Sequence, residues 1–246
     1  TRRSIRKYSD REVSDELLGR LLGEAARTQT MGNLQLYSVV VTRSAEMKAR
    51  LAPSHFNQPM VTGAPVVLTV CADFRRTTKW CECRKADPGY DNFLSFVNAA
   101  TDALLYTQTL CDLAEEEGLG LCFLGTTVYQ PMGIIETLGL PRLVMPVATI
   151  TLGWPGEEPE VTDRLGVEAF VHEETYRDYD AAAIDRHYAY KEGLAENRRF
   201  VELNGKETLA QVFTDCRYTR EANVAMSEEL NGKETLAQVF TDCRYT

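Results

Sequence analysis

The beginning of the chain carries a basic cluster whose residue types suit phosphate binding. Three arginines and one serine fall within five positions, as Arg2, Arg3, Ser4 and Arg6. A guanidinium group presents paired N–H donors that match phosphate oxygens, and a serine hydroxyl adds a further donor. Because the formal net charge of the chain is -9, this cluster is a local feature. We interpret it as a site for one phosphate group; a solvated basic tail is the alternative.

The remaining chemistry-bearing residues do not form a recognisable catalytic or metal-binding motif. The three histidines, His55, His172 and His187, do not suggest a catalytic triad, and each is interpreted as structural or surface-exposed. Cys81 and Cys83 form an isolated C-x-C pair. Because zinc needs four ligands, no metal site is predicted there. The sequence also lacks the glycine-rich loops that are typical of P-loop and dinucleotide-binding proteins.

Length and composition limit the classes of protein that this chain can represent. Its 246 residues, 44% of them apolar, are enough for one α/β or α+β domain with a sizeable core. The excess of 36 acidic over 27 basic residues argues against binding to nucleic acid. No apolar run approaches the roughly 18 residues that span a membrane. Seven cysteines, an odd number, favour a reducing compartment. We therefore expect a cytoplasmic protein without membrane or nucleic-acid partners.

The spacing of apolar residues predicts a mixed chain of helices and strands. Helices are predicted over residues 9–27, with Ser14 as the N-cap, and over 45–51, 92–117, 131–138 and from 181 onward. Strands are predicted over 36–42, 64–72, 119–124 and 143–152, and an extended segment over 167–180. The helix over 92–117 is apolar on most faces, which is typical of a helix buried in a domain or in a dimer core. The polar residues 73–91 are interpreted as a flap-like excursion.

The end of the sequence contains an exact duplication. Residues 202–219 and 229–246 both read ELNGKETLAQVFTDCRYT. Structural repeats usually diverge and occur in three or more copies, so an identical pair is unusual as a natural repeat. We therefore predict a single domain over residues 1–228 and interpret 229–246 as an artificial duplication; a duplicated interaction helix is the alternative.

Several short segments, taken in order, resemble the FMN-dependent nitroreductases. RRSIR at 2–6 is similar to the opening motif of that family, and TMGNLQLY at 30–37 is similar to its loop before a strand. GLGLCFLGT at 118–126 resembles the stretch along the flavin, and LGWP at 152–155 resembles the end of a family strand. Arg164 follows where the family places a basic group. The resemblance covers roughly residues 1–200 and points to the oxygen-insensitive, NADPH-preferring branch with its flavin-reductase relatives.

This resemblance implies that residues from the start of the chain and from position 164 bind the phosphate of the cofactor. The FMN phosphate and ribityl chain would be bound by Arg2, Arg3, Ser4 and Arg6. Arg164 would close the phosphate site from farther along the chain. The sequence departs from the family at Thr162, where this branch often has a lysine. For the tail arginine that holds substrate or NADPH in this branch, Arg198 and Arg199 are weak candidates.

The resemblance also implies which residues surround the flavin ring. The isoalloxazine would lie along Leu124, Gly125 and Thr126, with a backbone N–H there facing flavin N5. Thr30 would hydrogen-bond the flavin, and Gln58 would reach the polar edge of the pyrimidine ring. Gly32 and Asn33 would border the substrate.

The fold and activity implied by the resemblance are those of an oxidoreductase. The expected fold is α+β and nitroreductase-like, with a mostly antiparallel central sheet flanked by helices, in an intertwined homodimer that binds FMN at the subunit interface. NAD(P)H would reduce FMN, and a nitroaromatic, quinone or free flavin would then be reduced. Because hydride moves directly between these groups, no protein acid, base or nucleophile is required. The alternatives are a flavin-binding protein without turnover, a specialised reductase or dehalogenase of the same fold, and a phosphate-binding module unrelated to flavin.

Overall fold

An antiparallel sheet forms the centre of the part of the protein up to residue 160. The computed structural model describes residues 2–217, 219 and 221, and in this part of the chain four strands pair in the order β1-β2-β4-β3. They are β1 (Tyr37–Thr42), β2 (Val66–Asp73), β3 (Gly120–Leu124) and β4 (Val144–Gly153). Every residue of the two central strands, β2 and β4, is buried, because the helices cover both faces. The predicted strands and the antiparallel α+β architecture are confirmed.

Six helices belong to the same part of the molecule. They are α1 (Asp15–Ala25), α2 (Ala45–Leu51), α3 (Pro59–Gly63), α4 (Arg75–Cys83), α5 (Phe93–Glu116) and α6 (Pro131–Leu138), counted over the described residues. The ends of these helices follow from local chemistry. The Ser14 side chain accepts a hydrogen bond from Leu17 N and so caps α1, as predicted. Gly118 (φ 81°) and Gly139 (φ 62°) adopt the left-handed conformation after α5 and α6, where a side chain would be strained.

Two segments differ from the prediction. The helix predicted from residue 9 begins only at Asp15, since Ser9 N donates to Trp154 O after β4 and Ser14 caps the helix. The predicted flap at 73–91 contains helix α4, which buries Thr77 and Cys81 four residues apart and exposes mostly polar residues together with Trp80. Cys83 is exposed whereas Cys81 is buried, so the two thiols of the C-x-C pair have different surroundings.

The N-terminal segment, residues 3–9, is fixed to the edge of the sheet. Ile5 N donates to Leu121 O in β3 at 2.9 Å, and Ser9 N donates to Trp154 O after β4 at 2.9 Å. Ile5 is buried and lies against Gly120, where a Cβ atom would come within 2.7 Å of the Ile5 side chain. The basic cluster therefore starts a segment whose position is set by β3.

Gly120→Ala is expected to lower the free energy of unfolding by about 1–3 kcal/mol, because the added methyl overlaps with the β-branched Ile5. Gly23→Ala in α1 is the matched control, since its Cβ meets no atom within 4 Å and alanine favours a helix. Urea unfolding of both variants measures the difference. Equal stabilities would show that Ile5 does not restrict this position.

Helix α5 has two apolar faces. One face packs on the sheet with Phe96, Ala99, Ala103, Tyr106 and Leu110. Tyr106 stacks on Tyr37 with ring centroids 4.4 Å apart. The opposite face exposes a stripe of apolar side chains made of Leu94, Val97, Leu104 and Leu105. The prediction that most of this helix is apolar is thus confirmed, but the described residues leave one of its faces uncovered.

The chain divides into two compact units, the first ending at Glu160 and the second beginning at Val161. The second contains α7 (Ala181–Gly193), α8 (Ala195–Leu203) and α9 (Leu209–Val212), followed by a π-helical turn (Phe213–Arg217). The predicted helix from 181 is therefore confirmed as several short helices. Residues 167–180 contain a short 3-10 helix (Val167–Ala169). The duplicated residues 229–246 lie outside the described part of the chain, and the single domain over 1–228 stays a prediction. No helix of the described residues has the length and apolar character to cross a membrane.

Candidate functional site

Two of the four N-terminal residues predicted to bind phosphate are paired with carboxylates. Arg2 Nε lies 3.4 Å from Glu115 Oε1, and Arg3 Nη1 lies 3.1 Å from Glu158 Oε1. Such partly exposed ion pairs contribute only about 0–1 kcal/mol, so an anionic ligand can compete for the arginines. Arg3 Nε is buried and has no hydrogen-bond partner among the described residues. This unsatisfied donor fits the requirement of a phosphate group.

The other two predicted phosphate ligands are available to solvent. Ser4 and Arg6 are exposed, and within the described chain neither side chain forms an ion pair or a hydrogen bond. Their backbone is held in place, since Arg6 N and Lys7 N both donate to Glu157 Oε1, at 2.7 and 3.0 Å. The backbone N–H of Arg6 is the main reason that the pKa of Glu157 is lowered.

A cavity of about 530 Å³ beside Arg3 is less suited to phosphate. It is lined by three carboxylates, Glu115, Glu157 and Glu158, as well as by Arg3 and Ile5. Their negative charge opposes a dianion at close range. We therefore expect the phosphate to bind on the side of Ser4 and Arg6, with Arg2 and Arg3 adding positive charge.

The predicted flavin-lining residues lie where β3 ends. Leu124 is the last residue of β3 and is buried, and a 3-10 helix (Gly125–Val128) follows. Gly125 is exposed, and a Cβ atom added there would meet nothing within 4 Å. Its backbone therefore borders open space, as a flat aromatic ligand requires. Thr126 is half-buried next to it.

His55 joins the flavin-lining segment to the predicted pyrimidine ligand. Its Nδ1 lies 2.9 Å from Thr126 Oγ1, and Gln58 N donates to His55 O at 3.1 Å. The structure thus brings Thr126 to His55, three residues before Gln58, although the two are far apart in sequence. His55 is fully buried, which lowers its pKa to about 4 and keeps the ring neutral at physiological pH.

Acidification is expected to destabilise the protein through His55. The folded-state pKa of about 4 lies below the ordinary value near 6.5, so the unfolded chain binds more protons between these values. The free energy of unfolding should fall by about 3 kcal/mol from this residue as the pH drops from 6.5 to 4. Unfolding of wild type and His55→Gln at several pH values measures it. A difference between the two proteins that does not change with pH would contradict the prediction.

Thr30 and the loop that follows it are organised by Asp102, which the sequence analysis did not identify. Asp102 lies on α5 and is 1% exposed. Its carboxylate accepts hydrogen bonds from Thr30 Oγ1 (2.6 Å), Met31 N (2.7 Å) and Leu36 N (3.1 Å). Thr30 Oγ1 in turn accepts from Gln35 N at 2.8 Å. Because Thr30 donates its one hydroxyl proton to Asp102, it can act toward a ligand only as an acceptor.

The residues predicted to border the substrate lie in this loop. Gly32 and Asn33 have φ values of 55° and 56° and are exposed. Among the described residues, no hydrogen bond joins this loop to Gln58 or to the segment from Leu124 to Thr126. The two predicted parts of the ring site are therefore held by separate contacts within one chain.

Arg164 lies in the second unit and is held by its neighbours. Its Nη1 donates to Thr162 Oγ1 and to Asp163 O, both at 2.7 Å. Asp163 also pairs with Lys191 Nζ at 2.8 Å. Thr162, the position where the sequence departs from the family, thus orients the Arg164 side chain. The role of Arg164 at the phosphate stays a prediction.

Known proteins resemble this chain over most of its length. The model of the Nitroreductase family matches residues 1–154. The FMN reductase (NAD(P)H) of Bacillus subtilis is 33% identical over 211 residues, which cover 84% of this chain and 83% of the relative. The oxygen-insensitive NADPH nitroreductase of Salmonella typhimurium is 30% identical over 213 residues, covering 87% of this chain and 85% of that protein.

Solved structures agree in fold. A Bacteroides fragilis protein assigned as an oxidoreductase has 56% identity and a TM-score of 0.94, over 100% of this chain and 97% of its own. The NfrA1 nitroreductase of B. subtilis has 25% identity and a TM-score of 0.80, over 94% of both chains.

Proposed function

Because this chain belongs to the nitroreductase family, we propose that it is an FMN-dependent oxidoreductase that uses NAD(P)H to reduce nitroaromatics, quinones or flavins. The names of its relatives, FMN reductase and NADPH nitroreductase, support this activity. The observation that carries the proposal is the attachment of the basic segment to β3, through Ile5 N and Leu121 O. Leu121 precedes Leu124 by three residues, or about 10 Å along a strand. This separation suits a ligand with a phosphate at one end and a ring at the other.

Particular side chains would hold the cofactor in this arrangement. Ser4 and Arg6 would bind the phosphate, with Arg2 and Arg3 released from their carboxylates and Arg164 as a further ligand. The ring would lie along Leu124, Gly125 and Thr126, with Gln58 at its pyrimidine edge. Thr30 would accept a hydrogen bond from the cofactor, and Gly32 and Asn33 would border the substrate.

The protein residues would bind and orient the cofactor and the substrate, whereas bound FMN would supply hydride transfer from NAD(P)H to the acceptor. Consistent with that division, the one histidine beside the ring site is buried and neutral and is not suited to general acid–base work at neutral pH. The arginine cluster would offset the charge of the FMN phosphate at the other end of the cofactor.

A homodimer would bring the separate parts of the site together. The apolar stripe on α5 (Leu94, Val97, Leu104 and Leu105) is 40–68% exposed, and apolar patches of this kind are typical of subunit interfaces. The same helix carries Asp102, so the substrate loop of one subunit would lie near the interface and complete the ring site of the other. Leu94→Asp combined with Leu104→Asp should yield monomers in sedimentation experiments; an unchanged mass would count against this interface.

The absorption spectrum of the purified protein, loaded with FMN, tests the proposed function. Flavin bands at one equivalent per chain, with NADPH or NADH oxidation that depends on an added quinone or nitroaromatic, would support it. A yellow protein without acceptor-dependent turnover would identify a flavin-binding protein that is not an enzyme. A protein that stays colourless after incubation with FMN would point to a phosphate-binding module instead. Turnover restricted to halogenated aromatics would favour the specialised reductase.

A further inference from the structure

A buried histidine lies directly behind the predicted flavin-lining segment. His55 is 0% exposed, and its Nδ1 is 2.9 Å from the hydroxyl of Thr126. Its other ring nitrogen, Nε2, is buried and has no hydrogen-bond partner among the described residues. Hydride transfer does not require this side chain. A fully buried polar ring with one unsatisfied atom therefore needs an explanation.

The unsatisfied nitrogen decides which tautomer is favoured. If Thr126 donated to Nδ1, the proton of the neutral ring would lie on Nε2 and form a buried donor without an acceptor. If Nδ1 carries the proton and donates to Thr126 Oγ1, Nε2 is a bare acceptor. Buried N–H groups without partners are rarer in proteins than acceptors with unused lone pairs. The neutral ring thus favours the Nδ1–H form, and the low pKa of His55 excludes the doubly protonated ring near neutral pH.

The tautomer fixes the direction of the next hydrogen bond. A hydroxyl has one proton, and Thr126 accepts from His55 in the favoured form, so its own proton stays free to be donated. Thr126 is half-buried and directly follows Gly125, whose exposed backbone borders open space, so the residue adjoins the segment along which the ring is proposed to lie. The neighbouring Thr127 differs, because it is 1% exposed and donates its proton to Leu124 O at 2.9 Å.

We infer that His55, protonated on Nδ1, is a positioning residue that makes the Thr126 hydroxyl a hydrogen-bond donor toward an acceptor atom of bound FMN. This inference rests on the proposed function. It assigns His55 a role that neither Gln58 nor the arginine cluster supplies. His55 would decide that the protein donates, and the ring accepts, in one hydrogen bond.

The tautomer is measured first, on protein without FMN. Nitrogen-15 NMR of histidine-labelled protein should show Nδ1 protonated and Nε2 bare for the residue that is lost in His55→Asn. A spectrum with the proton on Nε2 would overturn the inference. This measurement does not depend on whether the protein uses flavin.

The contact to the cofactor is measured next by substitution. Thr126→Val and His55→Leu should each weaken FMN binding about fivefold, the equivalent of one hydrogen bond. The midpoint potential of bound FMN should shift in the same direction in both variants. The double variant should behave like Thr126→Val alone, because His55 acts on the cofactor only through the Thr126 hydroxyl. His55→Asn, whose amide can replace the Nδ1–H donor, should restore the potential of the wild type.

Thr127→Val is the matched control, since it also removes a threonine hydroxyl but not the proposed donor. It should lower the stability of the protein while leaving the potential of the bound FMN unchanged. An unchanged potential in Thr126→Val with stoichiometric FMN would overturn the inference and leave the proposed function intact. Absence of FMN binding in the wild type would overturn both, whatever the tautomer of His55.

Discussion

Arg6→Ala is expected to weaken FMN binding by about 10- to 100-fold, the largest effect among the residues of the basic cluster. A hydrogen bond to a charged group contributes about 1.5–3 kcal/mol, and the Arg6 guanidinium has no ion-pair partner among the described residues that would compete for it. Arg2 and Arg3 must first leave Glu115 and Glu158, so their removal should cost less. Titration of FMN-free protein followed by flavin fluorescence measures the dissociation constants.

Arg20→Ala is the matched control for this series. Arg20 is also an exposed arginine, but it pairs with Glu24 and Glu117 and lies on α1. Its removal leaves the Ser4 and Arg6 side chains in place, so FMN affinity should stay within about twofold of wild type. If Arg6→Ala bound FMN as tightly as Arg20→Ala, the phosphate would not lie at the N-terminal segment.

Asp102→Ala is expected to cause the largest loss of stability, about 3 kcal/mol or more. The substitution removes the buried carboxylate that accepts from one hydroxyl and from two backbone N–H groups, those of Met31 and Leu36, of which Leu36 is buried. Each unsatisfied buried group costs about 1–3 kcal/mol, and part of this is recovered if the loop moves into water. The substrate loop should then lose its conformation, so the KM for the acceptor should rise while the absorption spectrum of bound FMN is retained.

Asp112→Ala provides the comparison on the same helix. Asp112 is exposed, and its carboxylate accepts from Gln108 Nε2 at 2.7 Å, a contact that water can replace. Its loss should change the free energy of unfolding by less than about 0.5 kcal/mol. Similar denaturation midpoints for the two variants would show that the Asp102 hydrogen bonds do not organise the loop.

The strands were predictable because their signal is local. Residues 64–72 and 143–152 are nearly continuous apolar runs, and the two central strands are buried along their whole length. The N-cap at Ser14 was predictable for the same reason, since its partner Leu17 is three residues away. Helix α4 was missed because most of its residues are polar and only Thr77 and Cys81 are buried.

The candidate site was less predictable, because its contacts join residues far apart in the sequence. The types of the N-terminal residues indicated phosphate binding. Nothing in the neighbouring sequence showed that Glu115 and Glu158 would pair with Arg2 and Arg3. Asp102 binds backbone N–H groups, which every residue has, so the sequence gives no sign of its partners. The one feature that could have identified Asp102 itself is its place as a single acidic residue on the buried face of an apolar helix.

Helix α5 carries both the residue that holds the loop after Thr30 and the apolar stripe that we propose as the subunit interface. Asp102 and Leu105 are three residues apart on it, one holding the loop and the other in the exposed apolar stripe. A subunit that packs on Leu105 would therefore restrict the motion of the helical turn to which Asp102 anchors the loop after Thr30. If association of the subunits raises the affinity of this loop for the acceptor, thermodynamic reciprocity requires that bound acceptor tightens association of the subunits by the same factor. Dilution of the enzyme should consequently lower its apparent affinity for the acceptor, and saturating acceptor should counteract the effect of dilution.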